Sequence, residues 1–142
     1  MEFMILNRYL VEKISPEIPY IVIGATEPNK PKPIITKNKH YISDLRLYYS
    51  DILKEDVCRY PLGHLFMKNH ARLIINFFLR YKTKTELCIC QCDGGVSRSS
   101  ATCAFLMSIC GKNPKLILDH PNYAPNEYVY DLLHEVYRKE VY

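Results

Sequence analysis

Residues 87–91 constrain the fold most strongly, because this short run carries apolar or thiol side chains on both of its faces. A strand with two apolar faces is typical of a parallel sheet that other elements cover on both sides. A glycine-bearing loop follows Leu87–Gln91, and then a helix-like segment runs from about Arg98 to Cys110, where Gly111 ends it. The sequence therefore predicts a buried strand, a glycine loop and a helix in direct succession.

Apolar runs and chain breakers predict the other elements. Further strands are expected at Phe3–Leu6, at Tyr20–Ile23, which Gly24 ends, and at Leu45–Tyr49. Further helices are expected from Asn7 to about Ile14, from about His64 to Tyr81, and after Asn126. Strands that alternate with helices indicate one α/β domain over residues 1–142, with a central, mostly parallel sheet of about four to five strands flanked by helices. Ligands of such sheets bind at the carboxyl ends of the strands.

The composition excludes several classes of protein. Of the 142 residues, 48% are hydrophobic and 24% are charged, which is too apolar for a mainly disordered chain. No apolar run approaches the roughly 20 residues of a membrane-spanning helix, and Met1–Met4 does not look like a secretory signal. The net charge of +4 suits anionic ligands but is too small to indicate nucleic-acid binding. We therefore expect a cytoplasmic monomer without membrane or nucleic-acid partners.

The cysteines are interpreted as free thiols, because no export signal is evident. There are six of them: Cys58, Cys88, Cys90, Cys92, Cys103 and Cys110. Three alternate along one strand, so they share one face and lie nearly in a line, which is unsuitable for tetrahedral zinc. We expect no metal and no cofactor, and we expect Cys88 and Cys90 to be core residues. The alternative is that one of these two forms a disulfide with an oxidised Cys92.

The segment with the clearest chemistry is CDGGVSRSS, in which five residues separate Cys92 from Arg98. A bare Cys-x5-Arg spacing is weak evidence, but Gly95 and Ser99 at their positions make the pattern more specific. A loop wrapped between the cysteine and the arginine can point backbone N–H groups inward, and Gly94 and Gly95 allow close approach. The following helix N-terminus adds its positive dipole end. The pattern predicts an oxyanion cradle.

The same residues predict nucleophilic attack on phosphorus. Arg98 can hold two phosphate oxygens in bidentate fashion. The helix N-terminus and the guanidinium both favour the thiolate form of Cys92, and a thiolate beneath a bound phosphate is placed for in-line attack. The expected phosphate-binding residues are Asp93, Gly94, Gly95, Val96, Ser97 and Arg98.

This segment resembles the signature of the cysteine-dependent protein tyrosine phosphatases, His-Cys-x-x-Gly-x-x-Arg-Ser/Thr. Residues 45–104 are similar to a compact dual-specificity branch of that superfamily: the run LRLYYSD at Leu45–Asp51, the helix near His64 and the segment Cys92–Ala101 carry the resemblance. The opening residues Ile5–Arg8 are compatible with it. Gln91 stands where the signature has histidine.

The resemblance implies a metal-independent hydrolase with a two-step reaction. Cys92 would attack phosphorus and form a phosphocysteine, which water would then hydrolyse. Arg98 would bind the phosphate and stabilise the transition state. Ser99 would donate a hydrogen bond to the sulfur and help it to leave in the second step.

In the family that this chain resembles, the general acid is an aspartate on a loop after an earlier strand. Asp51 fits best because it comes directly after the predicted strand Leu45–Tyr49, and Asp56 is the main alternative, ahead of Asp44. We also expect the Asp93 side chain to face out of the cradle, since a carboxylate that pointed inward would repel phosphate.

The expected substrates are phosphorylated proteins. The short chain has no large insertion to build a deep pocket, so phosphoserine and phosphothreonine are expected beside phosphotyrosine, with phosphate and vanadate as inhibitory oxyanions. An alternative is a non-protein phosphate: a phosphoinositide, an RNA 5′-triphosphate or a small ester. Residues 26–40, which include the basic stretch Lys30–Lys39, are expected to form a mobile loop, either simply solvated or serving as a basic rim for a polyanion.

Two further readings of the cradle remain. A catalytically weak domain could use it only to bind phosphorylated residues. A sulfur-transfer or arsenate-reducing enzyme could use a similar Cys-x5-Arg loop, although such enzymes usually need other features. The presence of Cys92, Arg98 and Ser99 together favours hydrolysis, because a binding module has no need of the nucleophile.

Overall fold

The computed structural model describes residues 1–140, and a four-stranded sheet lies at its centre. The strands are β1 (Glu2–Leu6), β2 (Tyr20–Thr26), β3 (Tyr41–Tyr48) and β4 (Leu87–Gln91). Their order is β1-β4-β2-β3, and every neighbouring pair is parallel. The predicted α/β fold class is therefore confirmed. All four strands deliver the chain to the same edge of the sheet, and the candidate site lies there.

Five helices connect and flank the strands. They are α1 (Arg8–Lys13), α2 (Lys68–Tyr81), α3 (Arg98–Ile109), α4 (Lys115–Leu118) and α5 (Glu127–Lys139), with 3-10 turns at Lys54–Arg59, Leu62–His64 and Lys82–Lys84. Asn7 caps α1 by accepting the backbone N–H groups of Tyr9 and Leu10, and Asn126 caps α5 by accepting that of Val129. Both caps were predicted. None of the helices within residues 1–140 is both long and apolar enough to cross a bilayer.

The sheet separates two apolar layers, as the period of a strand requires. On one face, α2, α3 and α5 pack against inward side chains such as Ile21, Ile23 and Cys90. On the other face, Val11 of α1 and Ile35 of the β2–β3 connection cover a smaller cluster. The predicted core positions of Cys88 and Cys90 are confirmed, since neither side chain has solvent exposure.

The basic segment between β2 and β3 differs from its prediction as a mobile loop. Its backbone carbonyl groups accept hydrogen bonds from one side chain of α1 and two of the sheet. Pro31 O accepts from Arg8 at 2.7 Å, Pro33 O from Arg46 at 2.8 Å and Thr36 O from the Tyr20 hydroxyl at 2.6 Å. Ile35 is buried beneath it. The segment has no regular secondary structure. It packs on the same face of the sheet as α1.

Gly24 does not end β2, so that prediction is wrong. The strand runs through Gly24 to Thr26. A Cβ atom at this position would lie 2.6 Å from Gln91 Oε1 and 3.0 Å from Arg46 Nε. The glycine therefore makes room for two long polar side chains from the neighbouring strands, and its role is packing.

Two other boundaries also differ. β3 begins at Tyr41 and not at Leu45. The polar pair Ser43–Asp44 interrupts the apolar pattern, so the first half of the strand was not predicted. α2 begins at Lys68 and not near His64. Its first turn is capped by His70, whose Nδ1 accepts the Met67 backbone N–H at 2.8 Å.

Candidate active site

The loop between β4 and α3 wraps around the sulfur of Cys92. The backbone N–H of Gly95 donates to Cys92 Sγ at 3.2 Å, and Ser99 Oγ is hydrogen-bonded to the same sulfur at 3.1 Å. The cysteine is only 2% exposed. α3 begins at Arg98, directly after this loop, so its positive dipole end faces the sulfur. A donated N–H and a helix N-terminus both stabilise negative charge at this point.

Gly95 shapes the loop in a way that no other residue type could easily replace. Its φ is +66°, in the left-handed region that favours glycine. A Cβ here would also lie 2.7 Å from the backbone nitrogen of Asn7. The loop is thus pressed against the turn that follows β1, and two backbone hydrogen bonds join them: Cys92 N–H to Leu6 O and Arg8 N–H to Asp93 O, both 3.3 Å.

The guanidinium of Arg98 is held in a defined orientation. Its Nη1 donates to Tyr49 O at 2.8 Å and lies 3.2 Å from Glu27 Oε1. Its Nε is buried and has no hydrogen-bond partner within residues 1–140. One side of the guanidinium is therefore fixed to the scaffold. The edge formed by Nε and Nη2 remains to bind two oxygens of a tetrahedral anion, which is the bidentate geometry that arginine favours.

Asp51 lies beside the nucleophile loop, at the end of β3. Its Oδ1 accepts hydrogen bonds from Ser97 Oγ at 2.8 Å and from Asn126 Nδ2 at 2.7 Å. The same amide also donates to Ile52 O at 3.0 Å. The side chain that caps α5 therefore fixes one carboxylate oxygen of Asp51, and the other oxygen is the one that can exchange a proton with a bound substrate.

These groups meet in one cavity of about 350 Å³. It is lined by Asp51, Leu53, Cys92, Gly94, Val96, Ser97, Arg98 and Ala124. Asp56, the alternative acid, lies in the 3-10 turn after β3, forms an ion pair with Arg59 at 3.4 Å and does not line the cavity. Of the two aspartates, only Asp51 shares a cavity with Cys92.

The side chain of Asp93 does not line the cavity, but it is not turned to solvent either. It is 12% exposed, and its Oδ1 lies 3.0 Å from Arg8 Nη1. Its Oδ2 accepts the Glu27 backbone N–H at 3.2 Å and lies 3.7 Å from Arg98 Nη2. The carboxylate is tucked between two arginines because the carboxyl ends of β1, β2 and β4 converge around it.

A second carboxylate, that of Glu27, also reaches the arginine. Glu27 Oε2 accepts the Ser50 hydroxyl at 2.7 Å, and Ser50 Oγ is 3.0 Å from His64 Nδ1. Because Ser50 directly precedes Asp51, this chain of contacts ties the acid-bearing segment to Arg98. Residues 1–140 contain no group of histidine, cysteine and acidic side chains arranged to hold a metal ion.

Comparisons with known proteins identify the architecture. No protein-family model matches the sequence, and no curated protein matches it significantly. Human DUSP28 aligns over 96% of this chain and 92% of its own, with a TM-score of 0.63 and 16% identity. PTPMT1, solved in complex with PI(5)P, aligns over 97% and 91%, with a TM-score of 0.60 and 12% identity. Tk-PTP in its active form aligns over 97% and 91%, with a TM-score of 0.57 and 14% identity.

The chain has the fold of the dual-specificity phosphatases. The resemblance inferred from CDGGVSRSS is confirmed at the level of the fold. In this phosphatase fold, the loop after β4 lies at the carboxyl edge of the parallel sheet, as the sequence predicted.

Gln91, at the position of the signature histidine, points away from the cavity in this phosphatase fold. It is 1% exposed, and its register neighbours are Leu6 on β1 and Gly24 on β2. Neither its Oε1 nor its Nε2 has a hydrogen-bond partner within residues 1–140, and Arg46 Nε is also unpartnered. Burial lowers the pKa of Arg46. The two side chains meet over the space left by Gly24.

Glu27 and Arg8 had no predicted role in the candidate site. Glu27 directly follows β2, and Arg8 directly follows the cap residue Asn7 at the end of β1. Their position at the carboxyl ends of these strands was the sequence signal that could have identified them as site residues. His64 was named only as the approximate start of a predicted helix. What brings all three together is the parallel order of the strands, which a single sequence does not reveal.

Proposed function

We propose that this chain is a metal-independent phosphatase that hydrolyses phosphomonoesters through a phosphocysteine intermediate. One observation carries the proposal: Cys92, Arg98 and Asp51 line a single cavity at the carboxyl edge of the sheet. A nucleophile, an oxyanion-binding group and a proton donor are the three parts that transfer of a phosphoryl group to an enzyme requires.

In the first step, the thiolate of Cys92 attacks phosphorus and the bond from phosphorus to the leaving oxygen breaks. The Nε–Nη2 edge of Arg98 holds two of the phosphoryl oxygens, and the positive end of α3 stabilises the third. The Gly95 N–H donates to the sulfur. Asp51 gives its proton to the leaving oxygen. Positioning and charge stabilisation supply most of the rate enhancement in such phosphoryl transfers.

In the second step, water attacks the phosphocysteine, and the carboxylate of Asp51 takes a proton from it. The sulfur leaves as a thiolate. The hydroxyl of Ser99, 3.1 Å from Cys92 Sγ, donates to it as negative charge develops. Inorganic phosphate is released and the thiolate is regenerated.

We propose phosphorylated protein side chains as the substrates. The rim of the cavity includes Leu53 and Val96, whose side chains are 58% and 42% exposed. Exposed apolar groups beside an oxyanion site suit an aromatic ring or a peptide chain. The guanidinium of Arg8, which shares Asp93 with Arg98, is already paired with that carboxylate, which disfavours substrates with several phosphates.

A non-protein phosphate is the competing substrate class, since one structural neighbour was solved with PI(5)P. Matched assays separate the two. Phosphotyrosine and phosphothreonine peptides should be hydrolysed with a higher kcat/KM than a short-chain phosphatidylinositol phosphate. The reverse order would overturn the assignment of protein substrates while leaving the phosphatase chemistry in place.

The central experiment is hydrolysis of an aryl phosphate from pH 5 to 8 with EDTA present. We expect vanadate-sensitive turnover that Cys92→Ser abolishes and that the matched variant Cys58→Ser, which removes an exposed thiol, retains. A stoichiometric phosphoenzyme seen by mass spectrometry after acid quench would identify the intermediate. Tight tungstate binding without turnover would instead indicate a module that binds phosphorylated residues, and would refute the catalytic proposal.

A further inference from the structure

Asp93 is an anomaly in a site built to bind an anion. Asp93 directly follows Cys92 in sequence, and its Oδ2 is 3.7 Å from Nη2 of Arg98. That nitrogen belongs to the edge that would hold two phosphate oxygens. A carboxylate that moved onto this edge would occupy the phosphate position and would repel a dianion through a short distance in a largely buried environment.

The structure holds this carboxylate back on its other side. Asp93 Oδ1 is 3.0 Å from Arg8 Nη1, a shorter contact than the one to Arg98, and Oδ2 also accepts the Glu27 backbone N–H at 3.2 Å. Both side chains of the ion pair are mostly shielded from solvent, with 20% exposure for Arg8 and 12% for Asp93. An ion pair at this depth is screened much less than one at the surface.

Arg8 is itself locked in place. Its Nη2 donates to Pro31 O at 2.7 Å, so that each of its two terminal nitrogens has its own acceptor. Its backbone N–H donates to Asp93 O at 3.3 Å. The preceding residue, Asn7, is in contact with Gly95 of the loop. The turn after β1 thus fixes both the backbone and the charge of the loop.

We infer that Arg8 is a positioning residue of the phosphate site. It neutralises Asp93 and keeps that carboxylate off the Nε–Nη2 edge of Arg98. Arg8 does not touch the substrate. It acts through Asp93. This inference rests on the proposed phosphatase function, because it concerns the edge of Arg98 that receives the phosphoryl group.

Removal of Arg8 therefore has a specific consequence. In Arg8→Met, Asp93 keeps its charge and loses its tighter partner, so Arg98 becomes its nearest cation. Oxyanions must then displace the carboxylate before they bind. The variant should raise KM for an aryl phosphate and the inhibition constant for tungstate by about tenfold, with a smaller change in kcat. A tenfold change corresponds to about 1.4 kcal/mol of binding free energy.

The decisive test is a double-mutant cycle. In an Asp93→Asn background there is no carboxylate to restrain, so Arg8→Met should change KM and the tungstate constant by less than about twofold. Lys13→Met is the matched control, since it removes one exposed positive charge from the same helix α1; it should leave both constants unchanged. Thermal unfolding of every variant shows whether the fold is retained.

Arg8→Lys provides a second readout and covers the case in which Arg8→Met does not fold. Lysine keeps the positive charge near Asp93 but cannot also serve Pro31 O in the same geometry. We expect KM within about threefold of the unchanged protein. A Lys variant as impaired as the Met variant would assign the effect to the Pro31 contact and overturn the inference.

The remaining outcomes are also distinguishable. Turnover with an Arg8→Met defect that persists fully in the Asp93→Asn background would refute the positioning role and leave the phosphatase function intact. Absence of turnover in the unchanged protein would refute the proposed function. In that case direct calorimetric titration with tungstate still measures the cycle, because the inference predicts coupled binding whether or not chemistry follows.

Discussion

Glu27 Oε1 lies 3.2 Å from Arg98 Nη1, and this contact joins the end of β2 to the start of α3. The second oxygen of the same carboxylate accepts the Ser50 hydroxyl. One glutamate thus spans Arg98 and the segment that carries Asp51. Its position on the side of Arg98 opposite to the phosphate edge makes it a support for the site and not a competitor of the substrate.

Substitution of Glu27 should therefore lower stability. Glu27→Gln keeps the shape and an acceptor for Ser50, but it leaves the largely buried guanidinium without its closest carboxylate. We expect a loss of about 1.5–3 kcal/mol in the free energy of unfolding, the range for a hydrogen bond to a charged group. Urea denaturation measures it. Glu86→Gln, an exposed carboxylate before β4, serves as the control, and equal stabilities for the two variants would contradict the role of the ion pair.

Asp51→Asn should slow the first chemical step. Loss of a positioned general acid costs a factor of about 10²–10⁴, so kcat should fall by at least about 10² for an aryl phosphate with a poor leaving group. The loss should shrink for a leaving group that needs no proton. Asp56→Asn is the matched control, because Asp56 does not line the cavity. A larger defect for Asp56→Asn would transfer the role to that residue.

Ser99→Ala should impair the second step more than the first. Without the hydroxyl beside the sulfur, the thiolate becomes a poorer leaving group, and removal of one such donor typically costs about 10²-fold. Phosphoenzyme should therefore accumulate, visible as a burst of aryl alcohol in rapid-quench experiments. Ser108→Ala is a control on the same helix, since the Ser108 hydroxyl bonds only locally to Phe105 O. A slow first step with no burst would argue against this function of Ser99.

Gly95→Ala should disrupt the loop. An alanine must adopt the left-handed backbone at a cost of about 1–2 kcal/mol, and its Cβ would approach the Asn7 backbone to 2.7 Å. We expect a lower melting temperature together with loss of tungstate binding. Gly63→Ala is the comparison, because a Cβ at Gly63 meets no atom within 4 Å. Similar behaviour of the two variants would mean that the contact with Asn7 is unimportant.

His70 should make stability depend on pH. Burial lowers the pKa of His70, and its Nδ1 accepts the Met67 N–H only while unprotonated. The unfolded chain therefore binds the proton more readily, so stability should fall as the pH drops below about 6.5, the ordinary histidine value, and level off below the folded pKa. His70→Gln keeps an acceptor without titrating and should reduce this slope in urea melts at pH 5 to 8. His120→Gln, at an exposed position, should not.

The local parts of the fold were predictable from the sequence. The strand Leu87–Gln91, the caps Asn7 and Asn126, and the loop that joins a buried strand to a helix all depend on neighbouring residues, and they were predicted with correct or nearly correct bounds. The choice of Asp51 over Asp56 also agrees with the cavity. The choice of Asp51 required only a prediction of where β3 ends.

Several differences from the predictions share a physical cause, which is contact between residues far apart in sequence. Gly24 was interpreted as a strand end because the two side chains that need its space come from β3 and β4. Asp93 was expected to face out of the cradle, but its burial against Arg8, 85 positions earlier, could not be predicted without knowledge of that contact. The basic segment was predicted to be mobile because the hydrogen bonds that its backbone carbonyl groups accept cannot be read from side-chain types.

The amide of Asn126 has a consequence for the far end of the chain. One side chain begins α5 and also holds the carboxylate of Asp51. The cap of α5 and the orientation of Asp51 therefore share one side chain, with Ser97 Oγ as the second donor to the carboxylate. Within the proposed mechanism, unwinding of the first turn of α5 would free the Asp51 carboxylate from Asn126 while the loop around Cys92 keeps its own contacts.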